Sequence, residues 1–269
     1  MGYEEKRENR ILIFEDMIRF CEREQRLVKA IRNSREHTVI YENPVPEVWK
    51  PAECREDFCT VDIWNLPALE AVQELYRIFP DSRAGLLNLV SPMKHSGGIM
   101  RGIPEQGQYL DCCTTLYPCL NMPPLSKELF LDDEKGLPPY GNVYIYTPGV
   151  VQIKADRGEP EMLEQKNRVV FDVISCTVLD GRKRSGIMPA SRKDMQGTGN
   201  TEEYLEKWFC DILQLAAHNG ADVLVLDVLW MNLRFDSTHI VETALQKALK
   251  QFAYCFRAVL LPASFSTVS

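Results

Sequence analysis

The chain has 269 residues, a formal charge of −7, and 45% apolar against 26% charged residues, the balance of a soluble globular protein long enough to bury one large core. The negative balance opposes nonspecific attraction to nucleic acid, and no apolar run approaches the ~18 residues that a membrane helix needs. The start MGYEEKRENR is charged rather than signal-like, and Lys6 stands where a myristoylated Gly2 would require Ser or Thr, so a cytoplasmic location is the default expectation.

In chain order, Ile11, Phe14, Ile18, Cys21, Val28 and Ile31 recur at helical spacing within the charge-rich stretch 5–35, which predicts one or two amphipathic helices. Residues 38–41 and 59–64 are strand-like, with Pro44, Pro46 and Pro51 punctuating the link. A helix over 68–79 follows. Leu86 to Val90 is short, apolar and bounded by Gly85 and Pro92, the pattern of a buried parallel strand. Residues 106–120 are helical and 125–131 are a candidate short helix.

The stretches 143–146, 150–153 and 169–174 are strand candidates, the last apolar on both faces except at Asp172. Residues 184–201 read as a loop. Asn200 and Thr201 cap the next helix, whose first turn carries Glu202 and Glu203. Its core face is Leu205, Trp208, Phe209, Ile212, Leu213 and Ala216. A strand over 223–226, a helix over 238–252 and a strand over 256–261 complete the chain. Helices alternating with apolar strands imply a layered α/β sheet with helices on both faces, an order that fits a doubly wound nucleotide fold as well as other three-layer α/β/α folds.

Nine cysteines are scattered without a Cys-x-x-Cys pair, and the four histidines stand apart from them. A zinc site has little support, and reduced core thiols are expected. The dense basic stretch Arg182-Lys183-Arg184 with Arg192-Lys193 is either a solvated loop or a phosphate-contacting lid.

The run His95 to Leu120 carries the chemistry. Gly97 and Gly98 lack side chains, so their backbone N–H groups can approach an anion closely. They follow the apolar strand at 86–90, so an anionic ligand would sit at that strand's carboxyl end. An ordinary tight turn is the alternative. Seven residues later comes Gln106-Gly107-Gln108.

Asn88, the glycine pair, that Gln, and then Leu110, Thr115, Leu116, Tyr117, Pro118 and Leu120 together resemble the signature of microbial-type poly(ADP-ribose) glycohydrolases. Tyr140-Gly141-Asn142-Val143 with Tyr146-Thr147-Pro148, and the strand Asp222 to Leu226, are also similar to segments of that family. The resemblance is specific between Asn88 and Leu120 and fainter from about Arg10 to Pro262. It implies a three-layer α/β/α macrodomain with a mixed central sheet, here with an N-terminal helical extension over 1–50 packed on a core over 51–269.

It also implies a ligand: ADP-ribose or a related NAD-derived nucleotide, with an ADP-ribosylated protein as a further candidate partner. No cofactor or metal, no membrane and no direct nucleic-acid contact are expected. The implied ligand-binding residues are Asn88, Ser96, Gly97, Gly98, Gln106, Gln108, Arg234 and Phe235. Ser96 takes the place of the first of three family glycines. Asp62 or Asn65 would either meet the adenine or cap the following helix.

Breaking a ribose–ribose bond requires protonation of the departing oxygen, a task for a carboxylic acid. The family supplies it from the second Glu of Gln-Glu-Glu. Here Gly107 and Gln108 replace both glutamates. A glutamine amide hydrogen-bonds but delivers no proton at neutral pH. Impaired hydrolysis with retained binding is the expectation, the alternatives being an active hydrolase of altered specificity or an interaction module with a closed cleft. Candidate catalytic residues are Gln108 itself, Asp111, which shares its helix side, and Glu105, which points away from it. The family's second glycine-rich loop is here Asp227 to Phe235, without a glycine. That departure puts the diphosphate cradle in doubt there, with Arg234 as a candidate replacement.

Overall fold

A computed structural model describes residues 3–41, 59–90, 108–121, 143–156, 160–177, 201–228 and 238–262. The two N-terminal helices are α1 (Tyr3–Arg23) and α2 (Gln25–His37), followed by strand β1 (Val39–Tyr41). Then come β2 (Thr60–Trp64), α3 (Ala68–Ile78), β3 (Ala84–Val90), α4 (Gln108–Cys113) and α5 (Leu116–Leu120). The chain continues through β4 (Tyr144–Val151), β5 (Val170–Thr177), α6 (Thr201–His218), β6 (Val223–Val225), α7 (Thr238–Phe252) and β7 (Ala258–Pro262).

The strands form one seven-stranded sheet in the order β1-β4-β5-β3-β6-β7-β2. β1 and β4 run antiparallel to their neighbours, and β5, β3, β6, β7 and β2 are mutually parallel. This is a mixed sheet of the macrodomain kind, as the resemblance implied. Central strand β3 is apolar throughout except at Asn88 and buries both faces, which is what a parallel strand covered by helices on two sides requires.

Alternation along the strands feeds two cores. On one face Leu87, Leu89, Leu224 and Leu226 pack with Trp208, Phe209 and Leu213 of α6 and with Val241, Ala244 and Leu245 of α7. On the other, Leu86, Val173 and Val225 pack with Leu69, Val72 and Leu75 of α3 and with Leu110 and Cys113 of α4. Phe14, Met17 and Cys21 of α1 and Leu27 and Ile31 of α2 close the second core from outside. Among the described residues no helix is long and apolar enough to cross a membrane.

Two sequence expectations are corrected. The helix read over 106–120 is two helices, because Thr114 and Thr115 leave it to bond the end of β4. Thr115 N–H donates to Val151 O at 3.0 Å, Thr115 Oγ1 accepts from Val151 N–H at 2.9 Å, and Thr114 bridges Gln152. The strands read at 143–146 and 150–153 are instead one strand, β4, whose register against β5 shifts between Thr147 and Val150. Gly149 takes φ of 70° there, a left-handed conformation that suits glycine. Ser34 of α2 donates to the Pro148 carbonyl at 2.5 Å, docking the N-terminal helices on that irregularity.

At the amino ends of the parallel strands, Asp172 accepts from Tyr146 Oη, Arg83 Nε and Gly149 N–H, so the polar exception in β5 is fully engaged. Asp222 accepts from Arg83 N–H beside it at 2.7 Å. The eight described cysteines are free thiols. Burial pushes the Cys112 thiol up to about 12 and that of Cys113 well above its ordinary value, so neither is a nucleophile at neutral pH.

Candidate functional site

β3 and β6 are adjacent and parallel, yet the next described helix after each lies on the opposite side of the sheet. After β3 the chain enters α4 on the second core's face, and after β6 it enters α7 on the first. Such a switch point, at the carboxyl ends of two neighbouring strands, is the place where open α/β sheets take ligands in a crevice.

Two polar residues stand at that crevice. Leu86 is paired with Val225; Asn88 lies two residues further along β3, on the side of the second core, and Asp227 follows the last residue of β6 by two. Asn88 is 8% exposed and donates from Nδ2 to Ser175 Oγ at 3.1 Å across the β3–β5 pair. Its Oδ1 and the Ser175 hydroxyl make a neutral donor–acceptor pair, the chemistry that reads a sugar hydroxyl.

Asp227 is the centre of a three-residue turn closed by Val228 N–H donating to Leu226 O at 2.9 Å. Leu226 N–H donates to Leu260 O of β7, anchoring the turn to the sheet. Tyr109, the second residue of α4, donates from Oη to Asp227 Oδ2 at 3.0 Å. Burial pushes the Asp227 carboxyl up to about 6, against the opposing pull of the Tyr109 hydrogen bond. The Tyr109 phenol is raised well above its ordinary range, first by burial and then by the negative charges of Asp227 and Asp156. Asp156, which is 4% exposed, accepts from Leu69 N–H at 3.1 Å and so caps α3 beside this cluster.

Of the residues singled out in the sequence, Asn88 stands at the crevice. Gln108 is the first residue of α4, and Asp111 follows one turn later, partly buried beside Cys112. Glu105, Ser96, Gly97, Gly98, Gln106, Arg234 and Phe235 lie outside the described residues. Asp62 is exposed on β2, at the far edge of the sheet, and accepts from Ile63 N–H at 2.8 Å and Trp64 Nε1 at 2.9 Å. It does not cap α3, whose second residue bonds Asp156 instead. Asn65 is exposed in the bend between β2 and α3.

The partnership of Asp227 with Tyr109 is not marked by any motif. Its one local signal is a carboxylate directly after the apolar run Val223 to Leu226. Among the described residues no three His, Cys, Asp or Glu side chains gather to hold a metal ion.

A seven-stranded mixed sheet with helices on both faces and a switch point between β3 and β6 defines a macrodomain-like α/β protein. The chain belongs to the family described as microbial-type PARG, catalytic domain, whose model matches residues 13–155. In fold it is similar to poly(ADP-ribose) glycohydrolase from Thermomonospora curvata, at 18% identity and a TM-score of 0.72, over 95% of this chain and 93% of that one. The same enzyme bound to the inhibitor ADP-HPD aligns at 17% identity and a TM-score of 0.69, over 95% and 93% of the two chains. Poly(ADP-ribose) glycohydrolase from Deinococcus radiodurans in complex with ADP-ribose aligns at 17% identity and 0.64, over 87% of this chain and 90% of that one. No curated protein matches in sequence.

Proposed function

We propose that this protein recognises ADP-ribose or a related NAD-derived nucleotide in the crevice between β3 and β6, with its glycohydrolase activity impaired. The observation that carries the binding half is Asn88, a buried amide paired with Ser175 at the carboxyl end of the central strand. Relatives of the same fold are described in complex with ADP-ribose or with ADP-HPD.

The impaired half rests on Gln106-Gly107-Gln108 standing where the family motif has Gln-Glu-Glu. Without a carboxylic acid there, the departing ribosyl oxygen leaves as a poor leaving group, and loss of a general acid costs ~10²–10⁴-fold in rate. An ADP-ribosylated protein is the natural macromolecular partner in this reading.

The test is calorimetry with ADP-ribose beside incubation with poly(ADP-ribose). Binding with a micromolar dissociation constant and negligible release of ADP-ribose is expected. No heat and an unshifted melting temperature would sink the binding half, and rapid breakdown of the polymer the other.

A further inference from the structure

We propose that the outer face of α2 is a docking ridge for poly(ADP-ribose), a polymer that carries a diphosphate in every unit. The choice of polymer rests on the nucleotide reading above, and the ridge adds to that reading a second contact surface outside the crevice.

The ridge follows from helical spacing. α2 buries Leu27 and Ile31 in the second core, with Ser34 buried beside them. At about 100° per residue, Arg26, Lys29 and Arg32 fall on the opposite side of the helix at steps of three, and all three are exposed. Their row spans about 9 Å along the helix axis. Arg35, the fourth cation of α2, turns inward instead and donates from Nε to Pro118 O at 2.9 Å. That bond ties α2 to α5, the helix that follows α4, and the ridge therefore lies on the same face of the sheet as α4. No dense basic run marks it in the sequence, because two residues separate each cation from the next.

Charge sets this face apart. The chain carries −7 overall, yet among the described residues the side chains of Arg26, Lys29 and Arg32 have no ion pair and no hydrogen-bond partner. The neighbouring acids are engaged by other cations: Glu15 by Arg19, Asp16 by Lys154, Glu24 by Arg168 and Glu164 by Lys166. Glu164 and Lys166 line the surface groove that Arg26 borders, and as a pair they leave its charge unopposed. Glu36 is the one acid among the exposed residues of α2, and Glu22 is followed directly by Arg23 at the end of α1. A row of unpaired cations on a net-acidic chain is a local positive field of the kind that holds a polyanion. Guanidinium groups bind phosphate oxygens in pairs, and an ammonium adds a point charge. Three such groups exceed the two charges of one diphosphate and suit a chain that presents diphosphates repeatedly.

The experiment follows binding of labelled poly(ADP-ribose) by fluorescence anisotropy over a range of salt, with polymer length checked on a gel. The native chain is compared with the triple variant Arg26→Gln, Lys29→Gln and Arg32→Gln, and calorimetry with ADP-ribose is run on both. For a single-stranded polyanion each cation engaged contributes about −0.7 to the slope of log affinity against log salt. The triple variant is therefore expected to lose about 2 from that slope and to bind polymer about 100-fold more weakly at about 0.1 M salt, while its affinity for ADP-ribose stays within about twofold. An unchanged melting temperature shows that the variant is folded.

The native chain gives a second measure without any variant. Its salt slope for polymer should exceed that for ADP-ribose by about 2, and equal slopes overturn the proposal. Equal polymer affinity and slope in the native chain and the triple variant also overturn it, while ADP-ribose binding in both keeps the crevice reading intact. Single-stranded RNA held as tightly as poly(ADP-ribose), with the same dependence on the three cations, overturns the choice of polymer. Polymer binding that depends on the ridge, without any binding of ADP-ribose, removes the crevice reading and leaves the ridge.

Discussion

Asp156 and Leu69 are 87 residues apart in sequence, yet the carboxylate of the first accepts the backbone N–H of the second at 3.1 Å. The contact ties the tail of β4 to the first turn of α3, a helix whose own N-cap, Pro67, offers no side-chain acceptor. A buried carboxylate at a helix N-terminus satisfies an orphan donor and meets the positive end of the macrodipole. Asp156→Ala is expected to cost about 1–2 kcal/mol of stability, and Asp156→Asn less, because the amide oxygen still accepts. Urea unfolding followed by circular dichroism checks both.

Asp227 makes stability depend on pH. Its folded value, about 6, lies above the ordinary carboxylate range, so the folded chain holds a proton that the unfolded chain releases. The resulting stabilisation is complete below the unfolded value near 4 and is lost as pH rises through about 6. Asp227→Asn removes the ionisation while keeping an acceptor for Tyr109. The variant should therefore match the native melting temperature near pH 4 and exceed it by several degrees at pH 8. Parallel thermal melts across that range would refute the assignment if the two curves kept a constant separation.

Asn88 and Ser175 form a neutral pair in an otherwise apolar layer, so each depends on the other for satisfaction. A double-mutant cycle with Asn88→Ala and Ser175→Ala should return a coupling of about 1 kcal/mol. Asn88→Ala should also weaken ADP-ribose binding about tenfold, the worth of one lost hydrogen bond near the ligand. Unchanged affinity in a folded Asn88→Ala protein would move the sugar site away from β3.

Gln108 opens α4, and its substitution offers a gain of function. Gln108→Glu restores a carboxylic acid to the family position and should raise release of ADP-ribose from the polymer by about 10²-fold or more. Gly107→Glu alone should not. A time course of product release from both variants separates these outcomes.

The strands and long helices were legible because their patterns are local and strong. β3 announces itself as an apolar run between Gly85 and Pro92, and α6 by its buried stripe from Leu205 to Ala216. The division between α4 and α5 was not legible, because Thr114 and Thr115 leave the helix for partners in β4 that lie more than thirty residues away. Pro148-Gly149 read as a break between strands, since local turn chemistry hides a ladder that β5 continues on both sides.

At the site, Asn88 showed itself as an amide among aliphatics. The stretch after β6 stands out in the sequence for its lack of glycine, while its first residue, Asp227, gives no sign of the bond it accepts from Tyr109 of another layer. Pairings across layers leave no period in a sequence.

The placement of α4 and α7 on opposite faces of the sheet has an evolutionary consequence. The helices that follow the two strands are seated in different hydrophobic layers, one through Leu110 and the other through Val241 and Ala244. Mutations can rebuild the chain on one face while the core under the other remains untouched, so the segments after β3 and β6 are free to diverge at separate rates.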